Sequence, residues 1–349
     1  MIKVLVVEDS PVAREFLTYI LTSDPAIRVV GTANNGVEAL ETVRQKKPDV
    51  ITMDIHMPMM DGFEATRRIM ETFPTPIVIV SGSLGEKEVA STFRAIEAGA
   101  LAVVRRPPGV NHEEFEAASK ELIQTVKLMS EVKVVKRIPQ PLQAPIAAQP
   151  KISTPLLKTA GIQAVAIGAS TGGPPVLNQI LSGLPQGFPF PVLIVQHITQ
   201  GFTEVFAEWI SNASGFPVRV ASHGECLAPR HGYVAPYGFH LGLDSGLRIA
   251  LSSLAPENGL RPSVSYLFRS IAQVLGPAAV GVLLTGMGRD GAEELKALKK
   301  MGAITIAQDE DSSVVHGMPG EAIKLGAATY VLSPEGITAM LAGLLKQVK

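Results

Sequence analysis

Two groups of residues in this chain carry the side chains that chemistry requires. The first is acidic. Glu8 and Asp9 follow the apolar run Val4 to Val7, and Asp54 follows Val50 to Met53. Carboxylates crowded at one sheet edge repel each other unless a divalent cation joins them, and hard oxygen ligands with open water positions suit Mg²⁺. Ser81 follows Ile77 to Val80, and Arg106 follows Ala102 to Val104, so a hydroxyl and a cation join the same rim. A pocket with a cation, an aspartate and such donors is built to receive a phosphoryl group.

The second group is nucleophilic. Gly168-Ala169-Ser170-Thr171-Gly172-Gly173-Pro174 follows the strand candidate Ala164 to Ile167. Glycines let the backbone turn sharply and leave Ser170 at the strand end, where the next helix begins. A turn of this kind can also hold a phosphate. The run lacks G-x-G-x-x-G spacing, which weakens a dinucleotide reading, and no lysine follows to make a Walker loop. A serine nucleophile needs a base and an orienting acid. His197 follows Val192 to Gln196 at once, and Asp290 lies in Leu284-Thr285-Gly286-Met287-Gly288-Arg289-Asp290-Gly291 after another strand candidate. Ser170, His197 and Asp290 thus come from the carboxyl ends of three different strands. His223, His231, His240 and His316 fall in expected loops or a hairpin and read as structural or peripheral. Cys226 has no adjacent glycine turn or helix start and is expected to be a buried or half-buried thiol.

The elements that must position these residues are visible as alternating patterns. In the first part, Val4 to Val7, Arg28 to Ala33, Val50 to Met53, Ile77 to Val80 and Ala102 to Val104 look like strands, with amphipathic segments between them. Ser10 is placed to N-cap a helix with Pro11 at its first position, and Leu17, Ile20 and Leu21 recur on one face. Strands alternating with helices imply a parallel, doubly wound sheet, whose chemistry sits at the strands' carboxyl ends. From 131 to 160, Pro139, Pro141, Pro145, Pro150 and Pro155 exclude regular structure for most of the segment and predict a linker. Its basic residues Lys133, Lys136, Arg137, Lys151 and Lys158 read as part of a solvated tether. A second α/β series follows, with strand candidates Ala164 to Ile167, Val192 to Val195, Val280 to Leu284, Ile304 to Ala307 and Thr329 to Leu332. A hairpin interrupts it, where His240 to Leu243 and Leu247 to Leu251 flank Asp244, Ser245 and Gly246. The expected division is a domain at 1–130, the linker at 131–160 and a second domain at 161–349.

Bulk properties agree with this plan and exclude others. A chain of 349 residues suits two ordinary domains, and 46% hydrophobic with 18% charged residues describes globular protein. The net charge of -1 gives no overall field to attract a polyanion, so nucleic-acid binding is not expected. One cysteine cannot make an internal disulfide, which fits a reducing compartment. The start is neither signal peptide nor anchor, and no apolar stretch approaches spanning length, so a cytoplasmic protein without membrane insertion is expected.

The segment Met53-Asp54-Ile55-His56-Met57-Pro58-Met59-Met60-Asp61-Gly62, with Val7-Glu8-Asp9-Ser10, closely resembles the receiver domain of two-component response regulators over about Met1 to Met129. The resemblance implies a flavodoxin-like domain in which Asp54 accepts phosphate from a histidine kinase. It also implies that Glu8, Asp9, Asp54 and the backbone carbonyl of His56 hold Mg²⁺, with Ser81 and Arg106 as switch residues. Two positions depart from the pattern. Arg106 stands where receivers usually have lysine, and Val103 where an aromatic switch residue is common. Arginine keeps the charge, but its planar fork bonds differently from a lysine ammonium.

The order Ser, His, Asp differs from those of α/β-hydrolases, chymotrypsin and subtilisin. Together with Gly168 to Pro174, Gln196-His197 and Thr285 to Gly291, it resembles the catalytic domain of the chemotaxis protein-glutamate methylesterases, from about Ala164 to Leu345. Further similar stretches are Arg261-Pro262-Ser263-Val264, Ala307-Gln308-Asp309-Glu310 and Ser312-Ser313-Val314-Val315-His316-Gly317-Met318-Pro319. The resemblance implies a doubly wound α/β domain with an antiparallel hairpin. Its expected reaction removes methyl groups from glutamyl methyl esters on chemoreceptors, and some members also deamidate receptor glutamines. Ser170 would be nucleophile, His197 base and Asp290 orienting acid, with Thr171 and the Met287 amide at the oxyanion and no cofactor for the esterase step. In that family the unphosphorylated receiver covers the active site and phosphorylation relieves the block. The implied partners are methylated chemoreceptors and the chemotaxis histidine kinase. Two rival readings are weighed against it. A DNA-binding output would need a helix-turn-helix with a basic face, which the pattern after Gly161 does not offer. A catalytically inactive scaffold binding receptors and kinase is the alternative that methanol release would separate.

Overall fold

The computed structural model describes residues 1–82, 93–132, 134 and 161–347. Its contacts divide into two compact units, Met1–Pro145 and Ile146–Lys349. Except for Glu131, Val132 and Val134, the expected linker with its prolines and basic residues lies outside the described residues.

The first unit is a five-stranded sheet of β1 (Ile2–Val7), β2 (Ile27–Ala33), β3 (Val50–Met53), β4 (Ile77–Ser81) and β5 (Ala102–Arg105), in the order β2-β1-β3-β4-β5. All neighbours are parallel. The strands are continuous apolar runs because both faces are covered. Val4, Val6, Val78 and Val80 pack on Leu17, Leu21, Leu122 and Val126, while Leu5, Val7, Ile51 and Ile79 pack on Ala39, Val43, Ala65 and Ile69 on the other face. Burying each of these valine, leucine and isoleucine side chains contributes about 1.5–3 kcal/mol. The helices described from end to end are α1 (Pro11–Thr22), α2 (Gly36–Lys46), α3 (Gly62–Thr72) and α4 (Phe115–Met129). Ser10, Asn35 and Asp61 cap the first three by accepting from first-turn amides. Because β1 lies between β2 and β3, the strand order reverses there, and the acidic residues stand at the resulting crevice.

The second unit has seven parallel strands in the order β14-β13-β12-β6-β7-β9-β8. They are β6 (Ala164–Ala169), β7 (Val192–Gln196), β8 (Val218–Val220), β9 (Gly232–Val234), β12 (Ala279–Leu283), β13 (Ile304–Gln308) and β14 (Tyr330–Leu332). The strands β10 (His240–Leu243) and β11 (Ile249–Ser252) form the antiparallel hairpin as a separate sheet. Among the described residues, six α-helices cover the sheet: α5 (Gly173–Ser182), α6 (Thr203–Ser214), α7 (Val264–Val274), α8 (Ala292–Lys300), α9 (Met318–Lys324) and α10 (Pro334–Gly343). The chain winds from β6 first to β7 and later to β12, so the topological switch lies beside β6.

Three sequence expectations are corrected. The short strands β8 and β9 are absent from the sequence reading because three residues show no usable periodicity. The hairpin turn runs to Arg248 rather than Gly246. Leu247 has φ +60°, and Asp244 Oδ1 accepts from the amides of Gly246 and Arg248, so Leu247 is a turn residue and not a strand start. Cys226 is exposed instead of buried or half-buried, since it sits on a surface segment that pairs with Arg248 through an isolated bridge.

Candidate active site

The ladder between β6 and β7 ends on the pair Ala169 and Gln196. Ser170 and His197 are the next residues on the two strands, and the amide of His197 still donates to Ala169 O at 3.0 Å. Nucleophile and base therefore leave adjacent strands at the same register. On the other side of β6, the amide of Ser170 donates to Thr285 O at 3.0 Å, just beyond β12. Gly172 reaches φ +76° in the turn, and a Cβ there would strike Val314. That backbone excludes ordinary L-residues and lets α5 start directly behind Ser170. Ser170 and His197 are half-buried.

Asp290 is buried, and its carboxylate is held by four donors. His197 Nε2 lies 2.9 Å from Oδ2, Val264 N donates to Oδ2 at 2.6 Å, and Ser263 Oγ and Ser265 N donate to Oδ1 at 2.8 and 3.0 Å. Three of these donors are the start of α7, where the unpaired amides and the helix dipole favour an anion. Burial pushes the carboxyl up. Its hydrogen bond and charge interaction with His197, then the bonds from Val264 and Ser263, outweigh burial and hold it at about 2. Ser265 Oγ also accepts from the amide of Gly291 and donates to Glu294, which fixes the backbone just after Asp290. Ser263 and Ser265 have no role in the sequence reading. The available signal was a serine placed before the apolar-periodic run of α7, the mark of an N-cap.

Thr171 and Met287 flank this centre on separate loops, and among the described residues neither main-chain amide has an acceptor. Thr285 ties the loops together. Its hydroxyl lies 3.0 Å from Thr171 O and 2.9 Å from the amide of Val315, while its own amide donates to Gln308 Oε1 at 2.8 Å. His316 is closer to the site than its expected peripheral place, because Gly286 and His316 form a parallel bridge. The remaining histidines of the domain are structural. His223 accepts from Leu251 N, His231 contacts Pro229 O, and buried His240 contacts Ala255 O and stacks on Tyr266.

In the first unit, one carboxylate oxygen each from Glu8, Asp9 and Asp54 lies within 4.8 Å of the others. Arg106 Nη2 is 2.7 Å from Glu8 Oε2 and 3.6 Å from Asp54 Oδ1. Burial, with the Asp54 charge beside it, pushes Glu8 up to about 7 against the pull of Arg106. Burial likewise raises Asp54, again opposed by Arg106. One guanidinium therefore undercompensates the cluster, and three hard carboxylate oxygens at this spacing fit a divalent cation. Gly82 lies directly beneath the guanidinium, where a Cβ would press on it. Ser81 ends β4 and is buried, and Val103 is packed on the core. His56 follows two residues after Asp54 with an exposed side chain.

Comparison with known proteins decides the family. The CheB methylesterase model matches residues 165–341, and the response regulator receiver model matches residues 4–116. A protein of Nitrosospira multiformis named protein-glutamate methylesterase/protein-glutamine glutaminase is 56% identical over 348 residues, covering 99% of this chain and 98% of its own. The chain belongs to the CheB methylesterase family. A Geobacter metallireducens relative with the same activity name is 55% identical, covering 99% of both chains. The solved catalytic domain of Thermotoga maritima CheB methylesterase is 38% identical, with a TM-score of 0.51 over 53% of this chain and 99% of that one. The family match spans Ser170, His197 and Asp290, and the receiver match spans Glu8, Asp9, Asp54, Ser81 and Arg106. No helix among the described residues is long and apolar enough to cross a membrane.

Proposed function

We propose that this chain is a phosphorylation-regulated serine esterase that removes methyl groups from glutamyl methyl esters of chemoreceptors and deamidates receptor glutamines at the same site. The observation that carries the proposal is the 2.9 Å contact of His197 Nε2 with Asp290 Oδ2 beside a serine in register with that histidine. Asp290 accepts from Nε2–H, which selects the tautomer whose Nδ1 is free to take a proton.

Ser170 Oγ attacks the ester carbonyl as its proton passes to His197 Nδ1. The negative charge that develops on the carbonyl oxygen is received by the amides of Thr171 and Met287, a contribution of about 3–4 kcal/mol per donor in comparable hydrolases. Collapse breaks the bond to the methoxy oxygen. His197 gives it the proton, methanol leaves, and an acyl-enzyme on Ser170 remains. Water, with its proton taken by His197, then releases the glutamate carboxylate and restores the serine. With glutamine the leaving group is ammonia, and the acyl-enzyme is the same.

In the receiver, Asp54 is the phosphate acceptor, with a histidine kinase of the chemosensory pathway as donor. Glu8, Asp9, Asp54 and the His56 carbonyl would hold Mg²⁺, which supplies charge neutralisation for the transferred phosphoryl group. Arg106 and Ser81 stand at the same rim to contact the phosphoryl oxygens. The domain division at 1–130, 131–160 and 161–349 and a cytoplasmic setting complete the reading.

Methanol release from methylated receptor membranes, with wild type and Ser170→Ala and with and without a phosphodonor, tests it. Wild type releases methanol faster with the phosphodonor, and the variant releases none. Equal release by the two proteins would return the chain to a scaffold role.

A further inference from the structure

The side chain of Gln196 is used by neither the triad nor the expected oxyanion site, yet it lies between them. Gln196 is the last residue of β7 and is buried. Its Nε2 donates to Ser170 O at 2.9 Å and to His197 O at 2.8 Å, so both hydrogens of one amide nitrogen join the main chains of the nucleophile and the base. These carbonyls lie just past the last ladder pair, where one chain turns into α5 and the other enters a loop. Beyond that pair the His197 amide still donates to Ala169 O, and among the described residues the Gln196 amide is what reaches the carbonyls of both Ser170 and His197.

The surroundings are shaped for this amide. Its Oε1 is buried with no partner among the described residues, a cost of about 1–3 kcal/mol that the fold accepts. Turning the amide over would remove both donor bonds and set oxygen against two carbonyls, so the orientation is determined by its partners. Gly173 has an ordinary φ and needs no glycine for conformational reasons. A Cβ at 173 would collide with Gln196 Oε1, which explains the second glycine of the Gly172-Gly173 pair.

We infer that Gln196 is a positioning residue that clamps Ser170 to His197 across the open end of β6 and β7. The inference rests on the proposed esterase reading of this site. Proton transfer needs Ser170 Oγ within about 2.6–3.2 Å of His197 Nδ1, and a misplacement of about 1 Å costs on the order of 10²-fold. No hydrogen bond joins those two side chains among the described residues, so their separation follows the backbone, which Gln196 holds together with the bond of the His197 amide to Ala169 O.

Gln196→Met keeps the length of the side chain and removes the clamp, and Gln196→Glu keeps its shape but turns the donor into an acceptor. Initial rates of methanol release are measured over a range of methylated-receptor concentrations and pH, with Ser170→Ala alongside. Both variants are expected to lose about 10- to 100-fold in kcat with KM within about twofold. In the methionine variant, which adds no charge beside the pair of His197 with Asp290, the shape of the kcat/KM profile against pH is expected to match that of wild type. The glutamate variant remains an independent test if the methionine variant does not fold. A kcat within about twofold of wild type in either folded variant, while Ser170→Ala is inactive, overturns the clamp alone. Methanol release by Ser170→Ala overturns the esterase reading and the clamp with it.

Discussion

His197 presents Nε2, not Nδ1, to Asp290, at 2.9 Å, and the carboxylate it meets is already held by the start of α7. The aspartate is therefore anchored independently of the histidine. Asp290→Asn would place an amide against donors that need an acceptor and would disturb the His197 tautomer. A fall in kcat of about 10³- to 10⁴-fold is expected, as in other triads whose aspartate is amidated. Methanol release under saturating substrate measures it, and a loss below about tenfold would contradict the assigned role.

The same carboxylate makes stability depend on pH. Asp290 is held at about 2 in the fold against an ordinary 3.8. A depressed carboxyl contributes stability above its unfolded value and loses it as pH falls through the folded one. The contribution, on the order of 2 kcal/mol, is thus complete above about pH 4 and disappears toward pH 2. Denaturant unfolding of wild type and Asp290→Asn at a series of pH values should show the difference between them narrowing over that window. A difference that stays constant from pH 5 to 2 would contradict this account.

Ser263 both caps α7, with its hydroxyl 3.4 Å from Tyr266 N, and donates to Asp290 Oδ1 at 2.8 Å. Ser263→Ala is expected to cost about 1–2 kcal/mol of stability and to lower kcat. Ser263→Thr keeps a hydroxyl at the cap and should recover part of both. Chemical denaturation and methanol release together distinguish this from a change in folding alone.

Arg106 is the counter-charge for buried Glu8, whose carboxyl already stands at about 7, and replacing it pushes Glu8 further toward its neutral form beside Asp9 and Asp54. Arg106→Gln should lower metal-free stability, by less than the ~3–5 kcal/mol of a fully buried broken pair because Glu8 can take up a proton. Millimolar Mg²⁺ should restore more stability to the variant than to wild type. Calorimetry of the full chain in chelator and in Mg²⁺ reads this directly. Equal gains from Mg²⁺ in both proteins would show that the guanidinium and the cation do not serve the same cluster.

Asp54 follows β3 in the same pocket, with the carboxylates of Glu8 and Asp9 within 4.8 Å. Asp54→Asn is expected to abolish the rise in methanol release produced by a small phosphodonor. Equal stimulation of the variant and wild type would place regulation elsewhere.

The strand-end chemistry was legible because parallel strands buried on both faces are written as unbroken apolar runs, and polar residues at their ends stand out. Val4 to Val7 before Glu8, and Val192 to Gln196 before His197, are of this kind. Asp290 was found by its motif, although it sits seven residues beyond β12. The short strands β8 and β9 and the length of the hairpin turn were not legible. Three-residue strands carry too few side chains for a period, and the positive φ of Leu247 is imposed by the hydrogen bonds of Asp244 rather than by leucine itself.

By itself, the sequence determined the two α/β units, the acidic and nucleophilic groups, and which strand ends deliver them, because burial period, glycine turns and caps are local properties. Tertiary structure alone decided which nitrogen of His197 faces Asp290, that α7 supplies three of the donors to that carboxylate, and that one amide of Gln196 reaches both Ser170 and His197. Those relationships join residues far apart in the chain, and hydrogen bonds have direction and a short reach. Only the folded backbone can set them.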